Sequence, residues 1–235
     1  MKKTNHFPTR ITKEEVNAMP LATFKGKVHI INNLQDLDEA VQYILQQDII
    51  GIDTETRPAF NKGEHHSTAL LQIATQQRCY LFQLMQTGLT DSLAAIFSNP
   101  GIKKIGLAFK DDLNGLKELN PFTPNNCIDL QKIVPTYGIF DLGLQKIFAI
   151  VFKRKISKVQ QLTNWEQPNL TKQQALYAAT DAWATLLIYL ELQKTKKLTR
   201  QQYLALKNED LRLQQLHQQE VLAERQLAAN QNQSK

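Results

Sequence analysis

The chain of 235 residues has only two cysteines, Cys79 and Cys127, whose separation suits neither a disulfide framework nor a structural zinc site. It has no apolar run near the eighteen or so residues of a membrane span, and its polar N-terminus lacks the apolar stretch of a signal peptide. A soluble, cytoplasmic protein with no membrane partner is the expectation. No glycine-rich phosphate loop of the GxGxxG or GxxxxGK type occurs, and no internal repeat. Nor is the net charge of +6 spread over the molecule. Residues 1–27 carry 6 basic and 2 acidic side chains and residues 195–235 carry 7 and 4, so the middle, with 15 and 16, is close to neutral. The basic pI is therefore weak evidence for nucleic acid, although basic ends can still attract phosphate.

What is present is enough apolar residue, 42%, for one sizeable core with extensions. Residues 1–26, with Pro8 and Pro20, read as an arm. Lys27–Ile31 reads as a short strand, and Asp36–Gln47 as a helix with Leu37, Val41, Ile44 and Leu45 on one stripe. Ile49–Ile52 is a buried strand running into Asp53-Thr54-Glu55. A polar loop, Arg57–Ser67, precedes two strands, Ala69–Ala74 and Arg78–Phe82, joined as a hairpin at Thr75-Gln76-Gln77. A helix over Thr90–Ser98, a strand over Ile102–Ala108 and a helix from Lys110 to Leu119 follow. Cys127–Leu130 reads as a short strand or bridge, Leu142–Val151 as a helix, and Leu170–Leu192 as a long helix capped by Thr171. This order predicts an α/β domain on a mixed sheet flanked by helices. From Thr195 the composition shifts to nine glutamines with no glycine or proline, and Leu204/Leu211 and Leu206/Leu213 recur at seven residues. A helical extension with a frayed end, offering protein contacts, is expected there.

Four acids stand out. Asp53 and Glu55 alternate at the end of an apolar strand and so share a face. Such a pair repels itself and needs a proton or a cation, although a solvated loop pair reads the same way. Asp112 opens a helix after another apolar strand, where an ordinary N-terminal helix acid would also sit. Asp181 lies among Ala178, Ala179, Ala182 and Trp183, an apolar setting in which an acid requires a partner, and Tyr177 shares its helix face. Four hard oxygen donors without a His–Cys set suit two Mg²⁺ or Mn²⁺ ions, able to activate a water and stabilise a leaving oxygen at a phosphodiester. Tyr177 could orient that water. The adjacent His65 and His66 are set aside as ligands.

Asp53-x-Glu55, Asp112 and Tyr177-xxx-Asp181, with GLQKIFA near Gly143 and TNWEQPNLTKQQALYAATDAW from Thr163, resemble the three motifs of the tyrosine branch of the DEDD exonuclease superfamily. Ribonuclease D and Werner-syndrome-type exonuclease domains belong to it. The resemblance covers roughly residues 27–194, followed by the extension over 195–235. It implies a ribonuclease-H-like fold and a metal-dependent 3′–5′ exonuclease that releases nucleoside 5′-monophosphates from a nucleic-acid 3′ end. On the family pattern Asp112, and not Asp111, is the second-motif acid. Lys158 matches a basic residue preceding the Asn-Trp, where it would contact phosphate or form part of a solvated face with Lys153, Arg154 and Lys155. The Thr54 backbone would touch the terminal nucleotide, and Arg57 is a weaker candidate for substrate contact. Many relatives carry His or Asn where this chain has Leu107-Ala108-Phe109. A tail too short for the additional helical domains of ribonuclease D inclines the expectation towards DNA. The alternative, an inactive nucleic-acid-binding module of the same fold, predicts a missing carboxylate, and none is missing.

Overall fold

The computed structural model describes residues 7–61 and 63–233; residues 1–6 of the arm, Lys62 of the polar loop and residues 234–235 of the extension lie outside the described residues. The arm contains a helix, α1 (Lys13–Ala18), that the apolar pattern does not reveal. Its signal is Thr12 and Glu15, three apart, which cap each other's backbone N–H in a reciprocal box. Beyond α1 the arm lies along the domain, where Ala22 N–H donates to the Lys155 carbonyl and Lys155 N–H to that of Pro20.

The sheet begins with β1 (Lys27–Ile31), followed by α2 (Leu34–Ile44) and β2 (Ile49–Thr56). The hairpin of β3 (Thr68–Ala74) and β4 (Arg78–Gln83) turns where expected, because the Thr75 hydroxyl accepts from both Gln77 and Arg78 N–H groups. Then come α3 (Leu84–Thr87), α4 (Asp91–Ser98), β5 (Lys103–Gly106), α5 (Phe109–Leu119), β6 (Cys127–Asp129) and α6 (Leu130–Ile133). The helix α7 (Leu144–Phe152) and the long α8 (Lys172–Gln193) complete the domain. The order across the sheet is β1-β4-β3-β2-β5-β6, with β3 antiparallel to both neighbours and the other pairs parallel. All seven residues of β3 are buried, because helices cover both faces, and this explains its nearly unbroken apolar run.

One face carries Ile50, Ile52, Leu71, Ile73 and Phe82 against α2 and α4. The other packs Leu70, Ala74, Cys79 and Leu81 against Ala178, Ala179 and Ala182 of α8. Fourteen of the 22 residues of α8 are buried, so it is a central helix without a polar stripe. The Thr171 cap holds as expected, reciprocated by Gln174. Gln174 also donates to the Thr163 hydroxyl and the Asn164 carbonyl, fixing the segment before α8.

The extension is a single helix, α9 (Arg200–Gln233), where a frayed end was expected. Its start docks through Tyr203, edge-on to Phe140, and through the buried Asp210, which accepts two hydrogen bonds from Arg10 at 2.7 and 3.0 Å. Leu204, Leu211 and Leu213 are exposed while Leu206 lies near Gly138, so the seven-residue recurrences do not share one docking seam. Among the described residues no helix is long and apolar enough to cross a membrane.

Candidate active site

A cleft of about 330 Å³ opens where β2 runs out of the sheet, lined by Asp53, Thr54, Glu55, Lys158, Tyr177 and Asp181. Strand alternation delivers Asp53 and Glu55 to the face that α8 covers, and α8 brings Asp181 over them. One carboxylate oxygen from each of these three acids lies within 4.8 Å of the other two. Gly51 makes the approach possible, since a Cβ there would collide with the Ala182 carbonyl oxygen. Asp112 stands outside this trio, with its Oδ1 accepting a hydrogen bond of 2.5 Å from the Thr54 hydroxyl. It is nevertheless close enough for its charge to act on both Asp53 and Glu55.

The electrostatics follow from crowding acids in a dry place. Burial, then the charges of Glu55, Asp112 and Asp181, raise the Asp53 pKa well above its ordinary value. Burial and the neighbouring Asp181 and Asp112 push Glu55 up to about 9. Asp181 rises to about 7 through burial, against the opposing pull of the Tyr177 hydroxyl and Lys158. Asp112 rises to about 6, again mainly by burial, with the Thr54 hydrogen bond opposing. The Tyr177 phenol is raised too, by burial and by Asp181 and Glu55. Oδ1 of Asp181 is buried without a hydrogen-bond partner among the described residues. A cluster of hard oxygen donors that repel one another, with one lone pair left over in the interior, fits a divalent cation of the Mg²⁺ or Mn²⁺ type.

The structure thus brings Asp53, Glu55, Tyr177, Asp181, Thr54 and Lys158 to one cleft, with Asp112 beside it. Arg57 is turned elsewhere, pairing with Glu166 at 3.3 Å, and His66 sits between Glu64 at 2.8 Å and Glu166 at 3.2 Å. These pairs tie the polar loop to the segment before α8. The sequence did not reveal the opposite wall, where Gln131 and Gln145 line the cleft and donate to the Leu142 and Ile156 carbonyls at 3.1 and 2.6 Å. Neither glutamine carries a local signal; only the tertiary fold brings them opposite β2.

A family model described as 3′–5′ exonuclease matches residues 28–197. The chain is 27% identical over 187 residues to the mouse bifunctional 3′–5′ exonuclease/ATP-dependent helicase WRN, an alignment covering 74% of this chain and 13% of that protein. The fold is similar to that of the EXO domain of Nibbler from Aedes aegypti, with a TM-score of 0.67 at 23% identity, covering 74% of this chain and 91% of that one. It is similar also to ribonuclease D of Escherichia coli, with a TM-score of 0.64 at 24% identity, covering 71% and 44%. The architecture is accordingly the ribonuclease-H-like one. The first curated relatives it matches are longer proteins, of whose length the chain spans 58%.

Proposed function

The chain belongs to the 3′–5′ exonuclease family of the DEDD superfamily, and from that membership we propose a metal-dependent nuclease that removes nucleotides singly from a nucleic-acid 3′ end by a two-metal mechanism. The observation that carries this reading is the convergence of the Asp53, Glu55 and Asp181 carboxylates within 4.8 Å. These three, with Asp112, are the residues that would hold the ions. When bound, Mg²⁺ or Mn²⁺ supplies an acidified water and charge neutralisation at the phosphodiester. Water attacks the terminal phosphorus, the bond from phosphorus to the 3′ oxygen breaks, and a nucleoside 5′-monophosphate leaves a strand with a new 3′-hydroxyl.

The chain's own groups have distinct tasks. Tyr177, with its pKa raised, keeps its proton near neutral pH, so its hydroxyl orients the water and does not act as a base. Lys158, on the rim of the same cleft, offers its ammonium to a phosphate oxygen. The Thr54 backbone meets the terminal nucleotide while its hydroxyl restrains Asp112. DNA is the proposed first substrate. The fold neighbour from Escherichia coli is itself an exoribonuclease, so RNA is the natural comparison.

The test is a time course on 5′-labelled 3′-recessed duplex DNA, single-stranded DNA and single-stranded RNA, with Mg²⁺, Mn²⁺ or EDTA, alongside Asp53→Ala. A ladder shortening from the 3′ end, dependent on metal and lost in the variant, is the expected result. Full activity in Asp53→Ala would remove the assignment, and faster loss of RNA would reverse the substrate preference.

A further inference from the structure

The segment from Gly138 to Gly143, leading into α7, belongs to no helix or strand. Its last residues, Leu142 and Gly143, form one wall of the cleft together with Leu144 and Gln145 of α7. A loop without a hydrogen-bonded ladder of its own is placed by its tertiary contacts. Two of these come from within the domain: Gln131 donates to the Leu142 carbonyl, and Lys146 to Oδ1 of Asp141 at 3.1 Å. Others come from the two ends of the chain. Phe140 N–H donates to the Thr9 carbonyl and Ile11 N–H to Oδ2 of Asp141, both at 2.8 Å, while the Phe140 ring meets Tyr203 of α9 edge-on. Arg10 stands between two acids. Its Nε and Nη2 donate to Asp210 at 2.7 and 3.0 Å, and its Nη1 lies 3.9 Å from Oδ1 of Asp141. Asp141 and Asp210 are both buried, so each carboxylate requires such partners. Arg10, Tyr203 and Asp210 all lie outside residues 28–197, the stretch that matches the exonuclease family model.

We propose that Arg10, clamped between Asp141 and Asp210, is a positioning residue for the substrate strand, holding the wall of Leu142–Gln145 at the separation from the β2 acids that a nucleic-acid 3′ end requires. A phosphodiester must reach Asp53, Glu55 and Asp181 to react. The sugar and base attached to it then occupy the rest of the cleft, which this wall bounds. Leu142 is 47% exposed there, an apolar side chain that a bound nucleotide would cover. Arginine suits the clamp, because its planar fork engages one carboxylate with two N–H groups and leaves a third nitrogen towards the other; a lysine ammonium is a single point charge. The arm and the start of α9 therefore belong to the substrate site, although neither lines the acid cluster.

This inference rests on the exonuclease reading of the same cleft, and its test separates the two. Arg10→Met keeps the aliphatic stem and removes the clamp, Arg10→Lys keeps the charge, and Asp210→Asn keeps the shape of the second partner. On the full chain, kcat and KM would be measured for 5′-labelled single-stranded DNA, with Mn²⁺ affinity by calorimetry. The same variants in an Asp53→Ala background give the Kd for the strand by fluorescence anisotropy, without cleavage. Expected for Arg10→Met are a KM and a Kd raised about 5-fold or more, a change in KM larger than any in kcat, and parent-like Mn²⁺ affinity. Arg10→Lys should fall between the parent and Arg10→Met. Adding Asp210→Asn to Arg10→Met should weaken binding no further, because both break one unit. Should Arg10→Met fail to fold, Arg10→Lys and Asp210→Asn must show the rise in KM and Kd. A lowered Tm with parent-like KM and Kd in the folded variants would make the clamp structural only and overturn the proposal. Weakened Mn²⁺ binding would overturn it too, since the acids and not the wall would then have moved. A parent protein that binds the strand but degrades no substrate would overturn the exonuclease reading alone, with the Arg10 comparison still decided by Kd.

Discussion

A single hydroxyl separates two roles at the centre of the cleft. Tyr177 touches the same space as Asp181 but has no charge to offer a cation, so its removal should spare metal binding and slow the chemistry. Tyr177→Phe is expected to lower kcat by about 10²-fold, the usual scale for losing one proton-handling group, with Mn²⁺ affinity unchanged by calorimetry. Loss of both would make the phenol part of the metal site. A second residue-scale prediction concerns Ala108, the N-cap residue just before α5, with φ 52° and ψ 34°, a left-handed conformation with no side-chain cap. That geometry costs an L-residue roughly 1–2 kcal/mol, which glycine avoids at some cost in chain entropy. Ala108→Gly should therefore stabilise the protein by about 0.5–1 kcal/mol, read as a higher midpoint in urea at an unchanged slope. The sequence had suggested a strand through Ala108; the chain instead leaves the strand at Gly106, and alanine gives no hint of a positive φ.

At the scale of elements, the site depends on how closely α8 rides on β2. Gly51 faces the Ala182 carbonyl and the side chains of Thr185 and Leu186, and Thr185 ties α8 onward to the Ile105 carbonyl at 3.2 Å. Gly51→Ala must push the helix outward, carrying Asp181 away from Asp53 and Glu55. We expect a loss of about 1–3 kcal/mol, the range for overpacked cores, and a fall in Mn²⁺ affinity measured on the folded protein. Destabilisation with unchanged Mn²⁺ affinity would mean that the strain is relieved without moving Asp181. The elements themselves were largely legible: short apolar runs, the Thr75 turn and the Thr171 cap are local signals, and each appears where the residues put it. The acids at the ends of β2 and within α8 were legible for the same reason, as misplaced polarity in apolar context. What local pattern could not carry was anything set by distant packing. The docking of α9 hangs on Arg10 meeting Asp210, 200 residues away, and no periodicity encodes that pair. The hydrogen bond from the Thr54 hydroxyl of β2 to Asp112 of α5 joins residues 58 apart and is likewise encoded by no local pattern.

For the whole molecule, the crowded acids link stability, pH and cation. Without a cation the fold holds Glu55 near pKa 9 and Asp181 near 7, against about 4 in an unfolded chain. The folded state therefore binds protons that the unfolded state has already released. This contribution to stability is complete below about pH 4 and is lost as pH rises through 7 and 9, with a slope of up to about 1.4 kcal/mol per pH unit for each proton involved. In EDTA, Tm should fall between pH 5 and 8.5, and Glu55→Gln should flatten that fall and raise Tm at the alkaline end. A divalent ion reverses the trend, because it binds the ionised carboxylates and displaces their protons. At 100 times its Kd, Mn²⁺ should add about 2.7 kcal/mol, or roughly 5–10 °C for a chain of this size. The gain should be larger at pH 8 than at pH 6, where protons compete for the same oxygens. Calorimetric scans with EDTA and with Mn²⁺ at both pH values provide the check. An equal Mn²⁺ shift at both, or an EDTA Tm that rises towards pH 8.5, would mean that these carboxylates are not the groups through which the cation stabilises the fold.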